Sequence, residues 1–120
     1  MEYSIHTDVK FDPLELVDVG QIADQCAERW WNQTLWRVND SVVRLGVFEG
    51  QFHWHKHDQE DEIFYVLEGR LLVDLEQERT VELAPRQGML VPRGVVHRTR
   101  APGRTVVMMI EAATVVPTGD

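Results

Sequence analysis

An all-β fold, a sandwich or a closed barrel, is what this sequence predicts, and three observations predict it. From Ser41 onward the apolar residues recur with a period of two, so that Val43, Leu45 and Val47 share one side of a strand. Short apolar runs follow at even spacing over 63–67, 71–75, 81–83, 89–91, 95–99 and 105–110. Breakers at Pro85, Gly88, Pro92, Gly94, Pro102 and Gly103 come too often for helices, and many short strands at even spacing make a sandwich or barrel.

The elements read as follows. Pro13, suited to a first helical position, precedes Leu14, Leu16, Val17, Ile22 and Ala23, so a short helix or coil is expected there, with Gly20 weakening any single long helix. Trp30, Trp31 and Trp36 follow closely, a cluster better suited to a core plug or subunit contact than to a ligand stack. Gly50 ends the first strand. The runs 63–67 and 71–75 flank Glu68-Gly69-Arg70, a tight hairpin signal, and 76–79 is a polar turn.

A chain of 120 residues argues for one domain, with an ordinary 43% apolar and 27% charged composition. No apolar run approaches the roughly 18 residues of a membrane span. The first eight residues lack the basic start, apolar stretch and small-residue cleavage site of a signal peptide, and the one cysteine, Cys26, has no internal partner. A cytoplasmic protein is the expectation. The net charge of −8 opposes non-specific binding to nucleic acid and anionic membranes. Against that background, Arg86, Arg93, Arg98, Arg100 and Arg104 fall in one segment without an acid. A solvated face and an anion-attracting rim both account for it.

His53, His55 and His57 alternate with Trp54 and Lys56, so on a strand their imidazoles point one way. Glu62 opens the next strand and shares its face with Phe64 and Val66, while His97 lies in a separate strand. Neutral imidazoles suit zinc, copper, iron and nickel, and a carboxylate adds a hard oxygen. Three nitrogens and one oxygen would leave an octahedral ion two open positions for water, dioxygen or substrate. A closed structural zinc site would more often use thiolates, which one cysteine cannot supply. By spacing alone, metal ligands and ordinary surface or core histidines both remain open.

Two longer patterns decide between them. Gly50, four residues, His55-Lys56-His57, four residues, Glu62, six residues and Gly69 resembles the first motif of the cupin superfamily, one residue short after the first glycine. Pro92-Arg93-Gly94, two residues and His97 resembles its second motif, with Arg86 and Ala101 where that motif carries glycine and asparagine. The resemblance implies a cupin double-stranded β-helix, or jelly-roll barrel, behind a short helical or irregular N-terminal segment. It also implies a divalent transition metal (iron, manganese, nickel, zinc or copper) held by His55, His57, Glu62 and His97. His53 then either supports a ligand from behind or lies at the surface. The phrases Trp54-His55-Lys56-His57, Val66-Leu67-Glu68-Gly69 and Val91-Pro92-Arg93-Gly94-Val95 are similar to single-domain cupins labelled mannose-6-phosphate isomerase-like, an inherited label that does not fix a reaction. The likeness starts near Trp36, which gives an N-terminal extension over 1–35, a barrel over 36–113 and a tail over 114–120.

Three functions fit this pattern. A metal-dependent enzyme would act on a small polar or anionic, sugar-like molecule, as an isomerase or epimerase or as a dioxygenase. A non-catalytic cupin would bind or sense a small molecule. An interaction protein would keep the metal as a structural remnant. A general base would be sought at His53 or Tyr65, while Glu60 and Asp61 read as a solvated acidic turn. By strand alternation Thr99 shares the inward side of His97, and Arg98 and Arg100 point away. Arg93, on the turn, is therefore the expected substrate-binding residue, its planar fork suited to a carboxylate or phosphate. A homodimer is expected because twofold pairs are the commonest assemblies and a small barrel has strand edges to cover.

Overall fold

The architecture was taken from a computed structural model that describes residues 2–120. In chain order its elements are β1 (Ser4–His6), α1 (Val19–Gln25), β2 (Trp30–Val38), β3 (Ser41–Gln51), β4 (Glu62–Glu68), β5 (Leu71–Leu75), β6 (Arg79–Leu83), β7 (Gly88–Val91) and β8 (His97–Ala112). The fold is all-β, as predicted. The long β8 organises it by pairing antiparallel with β3, with β4 through Val106–Glu111 and with β5 through His97–Arg100. β2 extends the sheet beyond β3, β1 adds to β2 in parallel, and β7 and β6 pair with β4 and β5. Among the described residues no helix is long and apolar enough to cross a membrane.

Three expectations need correction. Pro102 and Gly103 do not end a strand. Phe48 pairs with Thr105 and Gly50 with Ala101, so Pro102, Gly103 and Arg104 bulge outward and β8 resumes beyond them. A bulge tolerates a proline because its missing N–H is not asked to join the ladder.

Glu68-Gly69-Arg70 is a corner and not a hairpin turn, since β4 and β5 do not pair with one another. Gly69 has φ +82°, and a Cβ there would lie 2.6 Å from the Arg104 carbonyl oxygen. The corner packs directly on β8, where the Arg70 amide donates to Thr105 Oγ1 at 3.1 Å. The true hairpin is β5–β6, whose turn at 76–78 places Gln77 and Glu78 at positive φ.

The helix starts later than Pro13 suggests. Leu14 stands fully exposed at φ +69°, and the helix opens where the Asp18 carboxylate caps the Gln21 amide at 2.9 Å. Gly20 lies inside this short helix. β2 spans Trp30–Val38 and crosses the expected boundary between residues 35 and 36.

The core has two parts. Trp30, Phe48, Phe52, Phe64, Val66, Val107 and Met109 belong to one; Ala23, Leu35, Leu45, Val47 and Val106 form the other, with Trp31 and Trp36 packed against it. Burying each large apolar side chain contributes about 1.5–3 kcal/mol. Helix α1 closes the second part, anchored by a hydrogen bond from Arg104 to the Ala23 carbonyl.

Arg98 and Arg100 point away from the interior, as alternation requires. Both converge on Asp74 of β5, which accepts from Arg98 Nε at 2.8 Å, from Arg100 Nε at 2.6 Å and from Thr80 Oγ1 at 2.8 Å. Chiefly through Arg100, these donors hold the Asp74 carboxyl well below the usual carboxylate range. A lowered folded-state pKa contributes stability above the unfolded value of about 3.9, and that stability is lost as pH falls toward the folded value. Asp74→Asn should therefore lower stability at pH 7 by about 2 kcal/mol. Urea unfolding of parent and variant should show the gap constant from pH 8 to about 5 and narrowing below about 4. A gap that widens with acid would refute this role.

Candidate metal centre

The chain between β3 and β4 is irregular, and it delivers two histidines inward. His55 forms an isolated bridge with His97, each amide donating to the other's carbonyl at 2.9 Å. The Gly94 amide donates to the His57 carbonyl at 2.8 Å, tying the loop to the turn that precedes β8. Glu62 is the first residue of β4 and shares the buried side of Phe64 and Val66, as expected. His53, His55 and His57 do not lie along one continuous strand, because β3 ends at Gln51.

The structure brings His55, His57, Glu62 and His97 together, with one ligand atom from each within 4.8 Å of all the others. His57, Glu62 and His97 are buried. His55 Nδ1 lies 3.0 Å from the His53 carbonyl oxygen, and His97 Nδ1 lies 2.9 Å from that of Val95. A carbonyl oxygen only accepts, so each Nδ1 carries the hydrogen and each Nε2 presents a lone pair. Backbone carbonyls behind imidazoles orient metal ligands in this way.

Glu62 Oε1 is 3.6 Å from His57 Nε2 and 3.5 Å from His97 Nε2, too long for hydrogen bonds. Both His57 nitrogens, Glu62 Oε1 and His97 Nε2 are buried without a protein partner. Such a cluster of orphaned polar atoms is costly and calls for a ligand. Donors each about 2.0–2.2 Å from a common cation stand roughly 3–3.5 Å apart, which the observed spacing matches. The cluster suits a metal ion.

The electrostatics agree. Burial pushes His55 down to about 4, keeping it neutral, with His97 and His57 adding to the effect. Burial also opposes charge on His57, but Glu62, followed by Asp120 and Glu60, outweighs it and raises that group. Glu111 faces Glu62 across the β4–β8 ladder. Burial and the charge of Glu62 push Glu111 well up, whereas Glu62, despite burial, is held well below the usual range by Glu111, His57 and His97. Arg44 Nη1 donates to Glu111 Oε1 at 2.9 Å from behind.

Beside the cluster lies a small cavity, about 20 Å³, room for about one water. Trp30, Phe48, Phe52, Phe64, Met109 and Pro117 form its apolar wall, and Asn32, Thr99, His55 and Glu62 its polar one. Arg93 is not part of it. The side chain is exposed on the turn, whose backbone is tied down where the Arg93 amide donates to Asp61 Oδ1 at 2.9 Å. His53 is exposed and serves through its carbonyl, and Tyr65 is exposed on β4 outside the cavity. Glu60 accepts from Thr114 Oγ1 at 2.7 Å.

Residues 114–120 border the site. Pro117 lines the cavity, and the Thr118 carbonyl accepts from His53 Nε2 at 2.7 Å. The Asp120 amide donates to the Lys56 carbonyl at 3.0 Å, and the Asp120 carboxylate accepts from the Asp58 amide at 2.6 Å. Gly119, at φ +94°, lies so close that a Cβ would sit 2.5 Å from His55 Cβ. Gly119→Ala should therefore lift the segment and speed hydrogen exchange at the Asp120 amide by about tenfold or more. Unchanged exchange in a folded variant would show that the segment does not bear on His55.

Comparison with known proteins agrees with this geometry. A family model described as the cupin domain matches residues 41–113. The chain is 44% identical over 90 residues to the uncharacterized protein YdbB of Bacillus subtilis (strain 168), covering 75% of this chain and 80% of that one. Among solved structures, a cupin-2 domain containing protein from Shewanella frigidimarina superposes with a TM-score of 0.76 at 27% identity, covering 81% of this chain and 94% of that one. Protein NMB1881 from Neisseria meningitidis superposes with a TM-score of 0.74 at 23% identity, over 82% and 99% of the two chains. With β-strands in this order around a His/Glu cluster on the expected motif positions, the chain belongs to the cupin family.

Proposed function

We propose that His55, His57, Glu62 and His97 hold one divalent transition metal ion, and that the protein is a metal-dependent enzyme acting on a small molecule in the adjoining cavity. The observation that carries this reading is the set of buried, inward-facing donors without protein partners, which border the cavity through His55 and Glu62. Imidazole and carboxylate donors suit iron, manganese, nickel, zinc or copper. Such an ion supplies Lewis acidity that polarises a carbonyl or hydroxyl, or redox chemistry where it is iron or copper.

The chain's own residues prepare the site. The His53 and Val95 carbonyls fix His55 and His97 with Nε2 inward. Glu111 lies opposite Glu62 in the β4–β8 register, and Arg44 holds Glu111 in place. The aromatic wall leaves little room for water, which strengthens polar interactions there. Apart from His55 and Glu62, no titratable side chain among the described residues lines the cavity. That weighs against proton-abstracting isomerisation or epimerisation, which needs a free general base, and favours oxygen chemistry of the dioxygenase kind. The same lack supports the second reading, a module that binds or senses a small molecule without turning it over. An anionic, sugar-like ligand steered by Arg93 draws no support from the cavity wall, which contains no lysine or arginine.

A homodimer belongs to the proposal. Ile63, Leu90 and Ile110 are register partners across β7, β4 and β8, and Leu90 and Ile110 are exposed. A second copy of this chain would cover that row.

Loading the protein separately with Fe²⁺, Mn²⁺, Ni²⁺, Zn²⁺ and Cu²⁺ tests the reading. About one equivalent should bind per chain, with two chains per sedimenting particle. At a hundredfold excess over Kd the unfolding midpoint should rise by roughly 10 °C. The His55→Ala/His97→Ala double variant should lose both effects. Turnover of a small-molecule panel, with and without dioxygen, separates the two readings. Metal uptake without turnover of any compound supports the binding module, and stoichiometric metal in the double variant overturns the ligand assignment.

A further inference from the structure

The cavity beside Glu62 and His55 has walls that specify a kind of ligand. Trp30 is nearly parallel to Phe48, with ring centroids 4.2 Å apart and planes at 16°, and to Phe52, at 5.4 Å and 14°. These stacked rings give the cavity a rigid apolar wall, which favours an apolar body over a heavily hydrated molecule. Asn32 Oδ1 is buried without a hydrogen-bond partner, although Asn32 stands in the regular β2 strand and lines the cavity. An unfilled buried acceptor is satisfied by a ligand that brings a donor. Glu62 is the only acid among the wall residues and no lysine or arginine stands with it, so an anion finds no side-chain counter-charge in the wall.

We propose that this cavity takes a small uncharged aromatic compound bearing a hydroxyl group, its ring against the Trp30–Phe52 wall and its hydroxyl donating to Asn32. The proposal names the substrate class of the site described above and rests on that reading for the ligand's place beside a metal. The space of about 20 Å³ is too small for a ring, so the wall must open to admit it, and Pro117 is the wall residue on the C-terminal segment. The contacts that hold its segment make this feasible, since Thr118, Asp120 and Thr114 bind exposed partners at the surface.

Calorimetric titration of phenol, toluene, benzoate and glucose 6-phosphate into the metal-free and the Zn²⁺-loaded protein tests it, with zinc content measured in parallel. Phenol should bind at least tenfold tighter than toluene and than either anion. Asn32→Leu, shown to be folded by circular dichroism, should bind phenol and toluene alike. If that variant does not fold, Asn32→Ala serves, and the parent's own ranking decides the question should neither fold. Benzoate or glucose 6-phosphate binding as tightly as phenol would overturn the proposal, as would a phenol preference that survives the loss of Asn32. Zinc uptake with no phenol binding refutes the ligand class and leaves the metal reading standing. Phenol binding by a protein that takes up no metal upholds the ligand class and refutes the metal reading.

Discussion

Strand β8 pairs in turn with β5, β3 and β4, and those pairings bring Glu62, Phe64, Thr99 and Met109 to the cavity. At its start, the two-way bridge between His97 and His55 joins the last strand to the irregular loop after β3. Near its end, the register Glu62↔Glu111 sets the carboxylate against a second carboxyl group. Between them, Thr99 and Met109 enter the cavity wall. Bulging at Pro102–Arg104 lets one strand do all this, because the extra residues bend it without ending its pairing. Gly69 then follows as a necessity, since only a residue without Cβ fits the corner against β8.

The buried charges depend on the same strand. Arg44 and Glu111 form an ion pair that is almost fully enclosed, and Glu111 in turn lies beside Glu62. Removing one partner of such a pair costs about 3–5 kcal/mol, because the other charge is left uncompensated. A fold that places two carboxyl groups and three imidazoles in one interior region needs compensation. Arg44 supplies it on one side, and a divalent ion would supply it on the other. The polar interior is therefore where the site and the stability of the fold meet.

Much of this was legible in the sequence, and the rest was hidden for physical reasons. The strands after Ser41 were readable because period-two patterning is local, and the His/Glu cluster because its spacing matches two cupin motifs. The corner at Gly69 was misread as a hairpin because the same turn residues serve both, and only the partner strand distinguishes them. β8 looked like two strands because Pro102 and Gly103 signal a break locally, whereas pairing with β3 holds the strand together across it. Trp30 and Asn32 precede both cupin motifs in the sequence, and pairing of β2 with β3 brings them to the cavity wall. The segment with Pro117 and Gly119 has no apolar periodicity, and its place is fixed by contacts with His53, His55 and Lys56 more than sixty residues earlier.

Crystals grown with Mn²⁺ or Zn²⁺ and measured at the metal's absorption edge test the central claim most directly. The account predicts one anomalous peak per chain within about 2.0–2.3 Å of His55, His57, Glu62 and His97. Fully formed crystals with no peak between those four side chains, or with the peak displaced onto Glu60 and Asp120, would contradict it.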